Sequence, residues 1–194
     1  MPDCYRPRRG TRNTKTCFAP VFVHLVPFLR LFFRSSSVLI LIIGLVILFL
    51  DQLTKQAIRA NLVYGDSIPV VDGFFNIVYV RNDGAAWNLL AGHGIILILI
   101  SFGVMVALYW FRSQIIEGKR RNEVLMGLLF GGIAGNLIDR IRFGWVTDFL
   151  SFHFGSYEYP SFNVADSAIC IVFVVFLVMS FFDKKKQEEK TEDV

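Results

Sequence analysis

Asp51, Asp139, Asp148 and Asp166 stand where apolar runs begin or end. Asp51 closes "VLILIIGLVILFL" (38–50), Asp139 follows "VLMGLLFGGIAGNLI" (124–138), and Asp166 comes just before "SAICIVFVVFLVMSFF" (167–182). Asp148 sits among Val146, Phe149 and Leu150, an apolar setting for a carboxylate. Two carboxylates in a partly dry site cannot both ionise easily, so one keeps its proton while the other stays charged. Such a pair supplies a base to activate a water and an acid to protonate a carbonyl. By position, Asp148 and Asp166 form the best pair, with Asp148 on a short loop near the start of the last run. Serine chemistry fits poorly, because Ser35, Ser36 and Ser37 lie at the opposite end of the first run from Lys55. Three scattered cysteines and three isolated histidines, with no CxxC or HExxH, point to neither disulfide, metal site nor cofactor. Cys170, inside an apolar run, reads as a small hydrophobe.

Other polar residues cluster around these acids. Asp51 and Lys55 are four apart, acid first, the favourable order for a helical ion pair. That pair reads either as the end of a span or as an anchor for a polar part of a substrate. Gly127, Gly131, Gly135 and Asp139 recur every four residues and form one ridge of a helix, where glycines admit a close neighbour. Asn136 and Arg140 lie on an adjacent line, and Arg140 is expected to be braced by Asp139. These three polar residues read either as glue between helices or as part of a site. Asn163 is an N-cap candidate, with Asp166 in the first turn behind it.

What must position them is a membrane bundle. The chain has 194 residues, 54% hydrophobic and 15% aromatic, with a positive mean hydropathy of +0.52. The net charge of +4 is modest, so its distribution carries more information than its total, and no nucleic-acid partner is expected. A spanning helix needs about 20 residues, with about 17 as the lower limit. The run 89–111 passes alone, and the other three pass only if their polar ends also lie at membrane depth. The expected spans are 36–56, 89–111, 122–139 and 164–182, all within one four-span unit of 36–183.

Fifteen of the twenty basic residues fall on one side: Arg6, Arg8, Arg9, Arg12, Lys15, Arg30, Arg34, Arg112, Lys119, Arg120, Arg121, Lys184, Lys185, Lys186 and Lys190. The positive-inside bias then places both termini in the cytoplasm and all four aspartates at the outer face. Between the first two spans, "FNIVYV" reads as strand and Asn82-Asp83-Gly84 as a turn, giving a small extracytoplasmic sheet lying on the membrane. Residues 1–35 form a basic extension, broken by Pro20, Pro27 and Arg30, that is disordered or interfacial. Residues 184–194 form a charged cytoplasmic tail.

Three classes compete on these residues. A transporter would need a polar path across the bilayer, yet the cytoplasmic halves of the spans lack acids. A scaffold built on glycine ridges would leave Asp148 and Asp166 replaceable. A membrane peptidase uses both. Here a resemblance enters. The stretches "DQLTK", "VRNDGAAW", "GGIAGNLIDR", "VTDF" and "FNVADS", in this order, resemble signal peptidase II, the lipoprotein signal peptidase family of bacteria, over about residues 45–180. The resemblance implies a four-helix aspartyl endopeptidase of the bacterial inner membrane with an extracytoplasmic β-cradle between spans one and two. It implies cleavage of diacylglyceryl-modified prolipoproteins before the lipidated cysteine, within membrane lipid and with no obligate protein partner. On this chain it implies Asp148 and Asp166 as the catalytic pair, with Asp51, Lys55, Asn82, Gly84, Asn136, Asp139, Arg140 and Asn163 lining or bracing the site. Trp87 stands where the family more often has Phe.

Overall fold

The computed structural model describes residues 35–85 and 89–192; the basic extension up to residue 34, Trp87 and the last two residues lie outside them. Helix α1 spans Ser35–Asn61, strands β1 and β2 span Ser67–Val71 and Phe75–Asn82, and helices α2 and α3 span Gly94–Trp110 and Arg112–Ile116. Helix α4 spans Arg120–Phe143, strands β3 and β4 span Val146–Phe154 and Tyr157–Phe162, and helix α5 spans Val164–Glu192.

Among the described residues, α1, α4 and α5 are long and apolar enough to cross a membrane. Helix α2 is apolar but has 17 residues, at the lower limit for a span. The run expected to be the clearest span, 89–111, therefore holds the shortest of the four long helices. Its first residues form a turn, with positive φ at Leu90 (59°) and Gly92 (74°), before the helix starts at Gly94. Helix α5 runs on through the charged tail as far as Glu192.

Helix α4 is the centre of the bundle and packs against α1, α2 and α5. Its glycine ridge explains why. A Cβ at Gly127 would lie 2.9 Å from Ile40 O, and one at Gly131 would lie 2.6 Å from Gly44 O, so α1 approaches at backbone contact. A Cβ at Gly132 would lie 2.7 Å from Ala165 O of α5, so a second face of the same helix is equally close. Small residues drive association in lipid because apolar burial alone gives helices no preference for each other over acyl chains. Leu41, Leu45, Phe49 and Phe181 point outward from the bundle, a side-chain belt suited to lipid.

The sheet differs from expectation. It has four antiparallel strands in the order β1-β2-β3-β4, and only β1 and β2 come from the segment after α1. Strands β3 and β4 lie between α4 and α5, so Asp148 is on a strand and not on a short loop. Gly144 makes this possible: at φ 83° it ends α4 in the left-handed region, its N–H donating to Arg140 O, and the chain turns directly into β3. Pro69 and Pro160 both fall on edge strands, where a missing N–H costs no ladder bond.

Candidate active site

The register of β2 on β3 pairs Val80 with Asp148 and Asn82 with Val146, which brings the end of β2 beside the start of β3. Both lie over the C-terminal ends of α1 and α4 and the first turn of α5. All ten sequence-singled residues meet here, in two groups of different chemistry.

The first group is ionic and fully enclosed. Lys55 Nζ lies 2.9 Å from Asp51 Oδ2 and 3.6 Å from Asp139 Oδ2, and all three side chains are 0% exposed. Arg59, one turn beyond Lys55, adds a contact of 3.5 Å to Asp139 Oδ2 and donates to Thr147 Oγ1 at 2.9 Å. Asp139 Oδ2 also accepts the backbone N–H of Thr147 at 3.1 Å, and Asp51 Oδ1 accepts that of Ala165 at 3.0 Å. Gln52 Nε2 lies 3.1–3.2 Å from Gly135 O, Asp51 Oδ2 and Asp139 Oδ1. The acids of this group thus tie the start of β3 to α4 and the start of α5 to α1.

The second group is held by amides. Asn163 caps α5: Asp166 N–H donates to Asn163 Oδ1 at 3.0 Å, and Asn163 N–H donates back to Asp166 Oδ2 at 3.2 Å. This is a capping box with Asp in the third helical position. The Asn163 side chain also donates to Asp148 Oδ1 at 2.7 Å, so one asparagine holds both carboxylates. Asn82 donates to Asp148 Oδ2 at 2.9 Å and Asn136 donates to Asp166 Oδ1 at 2.7 Å. Among the described residues no lysine or arginine is within ion-pair distance of either acid. Asp148 is 2% exposed. That burial, reinforced by the charge of Asp166, pushes its carboxyl up to about 7, against the opposing hydrogen bonds from Asn82 and Asn163. The two groups join at Asn136, whose Oδ1 accepts from Lys55 Nζ at 2.8 Å.

Asp148 and Asp166 open onto a cavity of about 900 Å³. Asn82, Asn136 and Arg140 border it on the polar side, while Phe152, Phe154, Phe162 and Ile169 supply an apolar wall. Cys170, expected only as a hydrophobe within its run, also lines this cavity. An acid and a base at the end of an apolar trough can hydrolyse a bond carried by a largely apolar substrate.

Two expectations need correction or extension. Asp139 does not brace Arg140: neighbours on a helix point about 100° apart, and Arg140 donates instead to Gly84 O at 2.8 Å. Gly84 in turn donates its N–H to Asn82 Oδ1 at 3.0 Å, so Arg140 steadies the loop that presents Asn82. Arg59, Gln52 and Thr147 were not foreseen. Arg59 was findable, since it continues the four-residue spacing of Asp51 and Lys55; Gln52 and Thr147 carry no such signal.

The fold has solved counterparts. A structure described as a bacterial membrane enzyme superposes with a TM-score of 0.72 at 32% identity, covering 79% of this chain and 92% of that one. A second described in the same words gives 0.66 at 33% identity, covering 76% and 93%. The class is therefore a membrane enzyme. A family model described as signal peptidase (SPase) II matches residues 43–182. The lipoprotein signal peptidase of Bacillus pumilus is 40% identical over 150 residues, covering 77% of this chain and 97% of its own length. That of Bacillus subtilis is 39% identical over 149 residues, covering 76% and 97%. The chain belongs to the signal peptidase II family, an aspartic protease family.

Proposed function

We propose that this protein is an intramembrane aspartyl endopeptidase that removes signal peptides from diacylglyceryl-modified prolipoproteins, cutting just before the lipidated cysteine. The observation that carries the proposal is Asn163 holding Asp148 and Asp166 together at the mouth of an apolar cavity. Asp148, with its carboxyl near 7, carries the shared proton, and Asp166 is the base. Asp166 takes a proton from water as the oxygen attacks the scissile carbonyl, and Asp148 gives its proton to the carbonyl oxygen. The tetrahedral diol then collapses: Asp148 takes a proton back from one of its hydroxyls, the C–N bond breaks, and the proton on Asp166 passes to the departing amine of the cysteine, which restores the starting pair. Asn82, Asn136 and Asn163 orient the carboxylates without neutralising them, and Arg140 with Gly84 holds the loop of Asn82.

The four apolar runs support four spans, and the distribution of basic residues supports both termini cytoplasmic with the aspartates near the outer face. In this reading residues 36–183 are the peptidase, flanked by the basic extension and the charged tail. A site at the lipid boundary suits a substrate held there by its own chains, because extraction would cost about 0.8 kcal/mol per buried methylene. The test is to give the purified protein a prolipoprotein with and without the diacylglyceryl group and to sequence the released fragments. Cleavage before the cysteine of the lipidated form alone is expected. Equal cleavage of both forms, or of neither, would overturn the proposal.

A further inference from the structure

A second cavity, of about 710 Å³, opens at the opposite end of the bundle from the aspartates, and nothing in the catalytic reading uses it. Its floor is apolar, with Met126 and Leu129 on α4 and Phe176 and Met179 on α5; its rim carries Gln114 and Glu117. The two cavities share one face of α4. Asn122, Met126, Leu129, Ile133, Asn136 and Arg140 alternate spacings of four and three, the pattern of a seam that receives another helix. The first three border or floor the second cavity and the last two line the first. On α5, Ile169, Phe173, Phe176 and Ser180 recur at four, three and four, and Phe173 between the cavities is 64% exposed. Helices α2 and α5 both lean on α4 but make little contact with each other, which leaves this seam between them.

We infer that the seam seats the apolar helix of the substrate's signal peptide, and that the second cavity holds the N-terminal end of that helix. This rests on the peptidase reading above. Length supports it. Asn122 and Asn136 are fourteen positions apart, a rise of about 21 Å at 1.5 Å per residue. The apolar core of a signal peptide has about 7–15 residues, which as a helix covers about 10–22 Å. A peptide with its cleavage site at the aspartates and an apolar core at the long end of this range therefore reaches the second cavity and meets a polar rim as its own polar end begins. Composition supports it too. Two of the chain's four methionines are in this cavity, and an unbranched thioether adapts to apolar partners of varied shape, as a peptidase with many substrates needs. The Glu117–Lys119 pair beside the rim is exposed and opens easily to a polar segment.

The test uses the full chain and two lipidated substrates, a whole prolipoprotein and a short peptide covering only the cleavage site. Leu129→Trp fills the cavity. The ratio of kcat/KM for whole over short substrate should fall about tenfold, through KM for the whole substrate. A ratio within about twofold of the unaltered enzyme overturns the inference. Should Leu129→Trp fail to fold, a photoreactive residue at the N-terminal end of the substrate's apolar core decides the matter in the unaltered protein. Crosslinks to α4 near Leu129 or α5 near Met179 support the seat, and crosslinks to α1 overturn it. If the unaltered protein cleaves neither substrate, the peptidase reading itself fails.

Discussion

Four buried or half-buried aspartates lie together at one end of this bundle, yet their partners divide them into two kinds. Asp51 and Asp139 face cations, Lys55 at 2.9 and 3.6 Å and Arg59 at 3.5 Å from Asp139. Asp148 and Asp166 face amides: Asn82, Asn136 and Asn163. A cation ties a carboxylate into an ion-paired frame and makes it structure. An amide orients a carboxylate but leaves its proton free to come and go, which makes it usable for chemistry. The same residue type thus has two roles a few ångströms apart, and the donor beside each oxygen tells them apart.

The largest effect that follows is on activity. Asp148→Asn and Asp166→Asn keep shape and much of the hydrogen bonding, so the fold should survive while the acid-base cycle stops. General acid-base catalysis contributes about 10²–10⁴-fold, and each variant should lose at least that much signal-peptide release at matched protein level. The double variant should be little worse than either alone, because the pair acts as a unit. Cleavage by either single variant within about threefold of the unaltered protein would remove the distinction drawn here.

The ionic group should respond in the opposite sense, through stability. Lys55→Met leaves Asp51 and Asp139 enclosed without their shared cation, and breaking a buried pair costs about 3–5 kcal/mol. Thermal unfolding in detergent should show it as a large drop in Tm. Asp139→Asn is milder, since an amide oxygen can still accept the N–H of Thr147 and hold the start of β3. It should keep partial activity at reduced Tm. An unchanged Tm in Lys55→Met would mean that this ionic group is not what holds α1 and α4 together beneath β3 and α5.

Much of this was legible in the sequence, for a physical reason in each case. The period-four glycines announced a close helix contact, because only a missing Cβ admits a backbone at that distance. Asn163 announced a helix start, because its side chain can satisfy the first free N–H groups. The strands after α4 were not legible. Residues 146–162 mix Asp148, Ser151, His153, Glu158 and Pro160 with their aromatics, which blurs the period of two, and pairing with β2 makes them strand. The partner of Arg140 was missed for a related reason. Adjacency in sequence suggested Asp139, whereas the actual acceptor, Gly84 O, lies 56 residues away.

The smallest effect concerns protons. Asp148 has its carboxyl at about 7 in the folded protein against an ordinary 3.8. Its folded value is raised, so between about 4 and 7 the native state binds a proton that the unfolded state has released. Stability then falls as pH rises through that window and levels off above it, with a slope from this one group of at most about 1.4 kcal/mol per pH unit. Asp148→Asn removes the proton site, so the Tm difference between it and the unaltered protein should change across that window and flatten beyond it. The Asp166→Asn background sharpens the test. Burial is the larger cause of the raised value and the charge of Asp166 the second, so removing that charge should bring Asp148 down but not back to 3.8. The window should narrow from its upper end. If Asp166→Asn leaves the upper limit near 7, the two carboxylates do not feel each other, and the shared proton in the proposed mechanism has no basis.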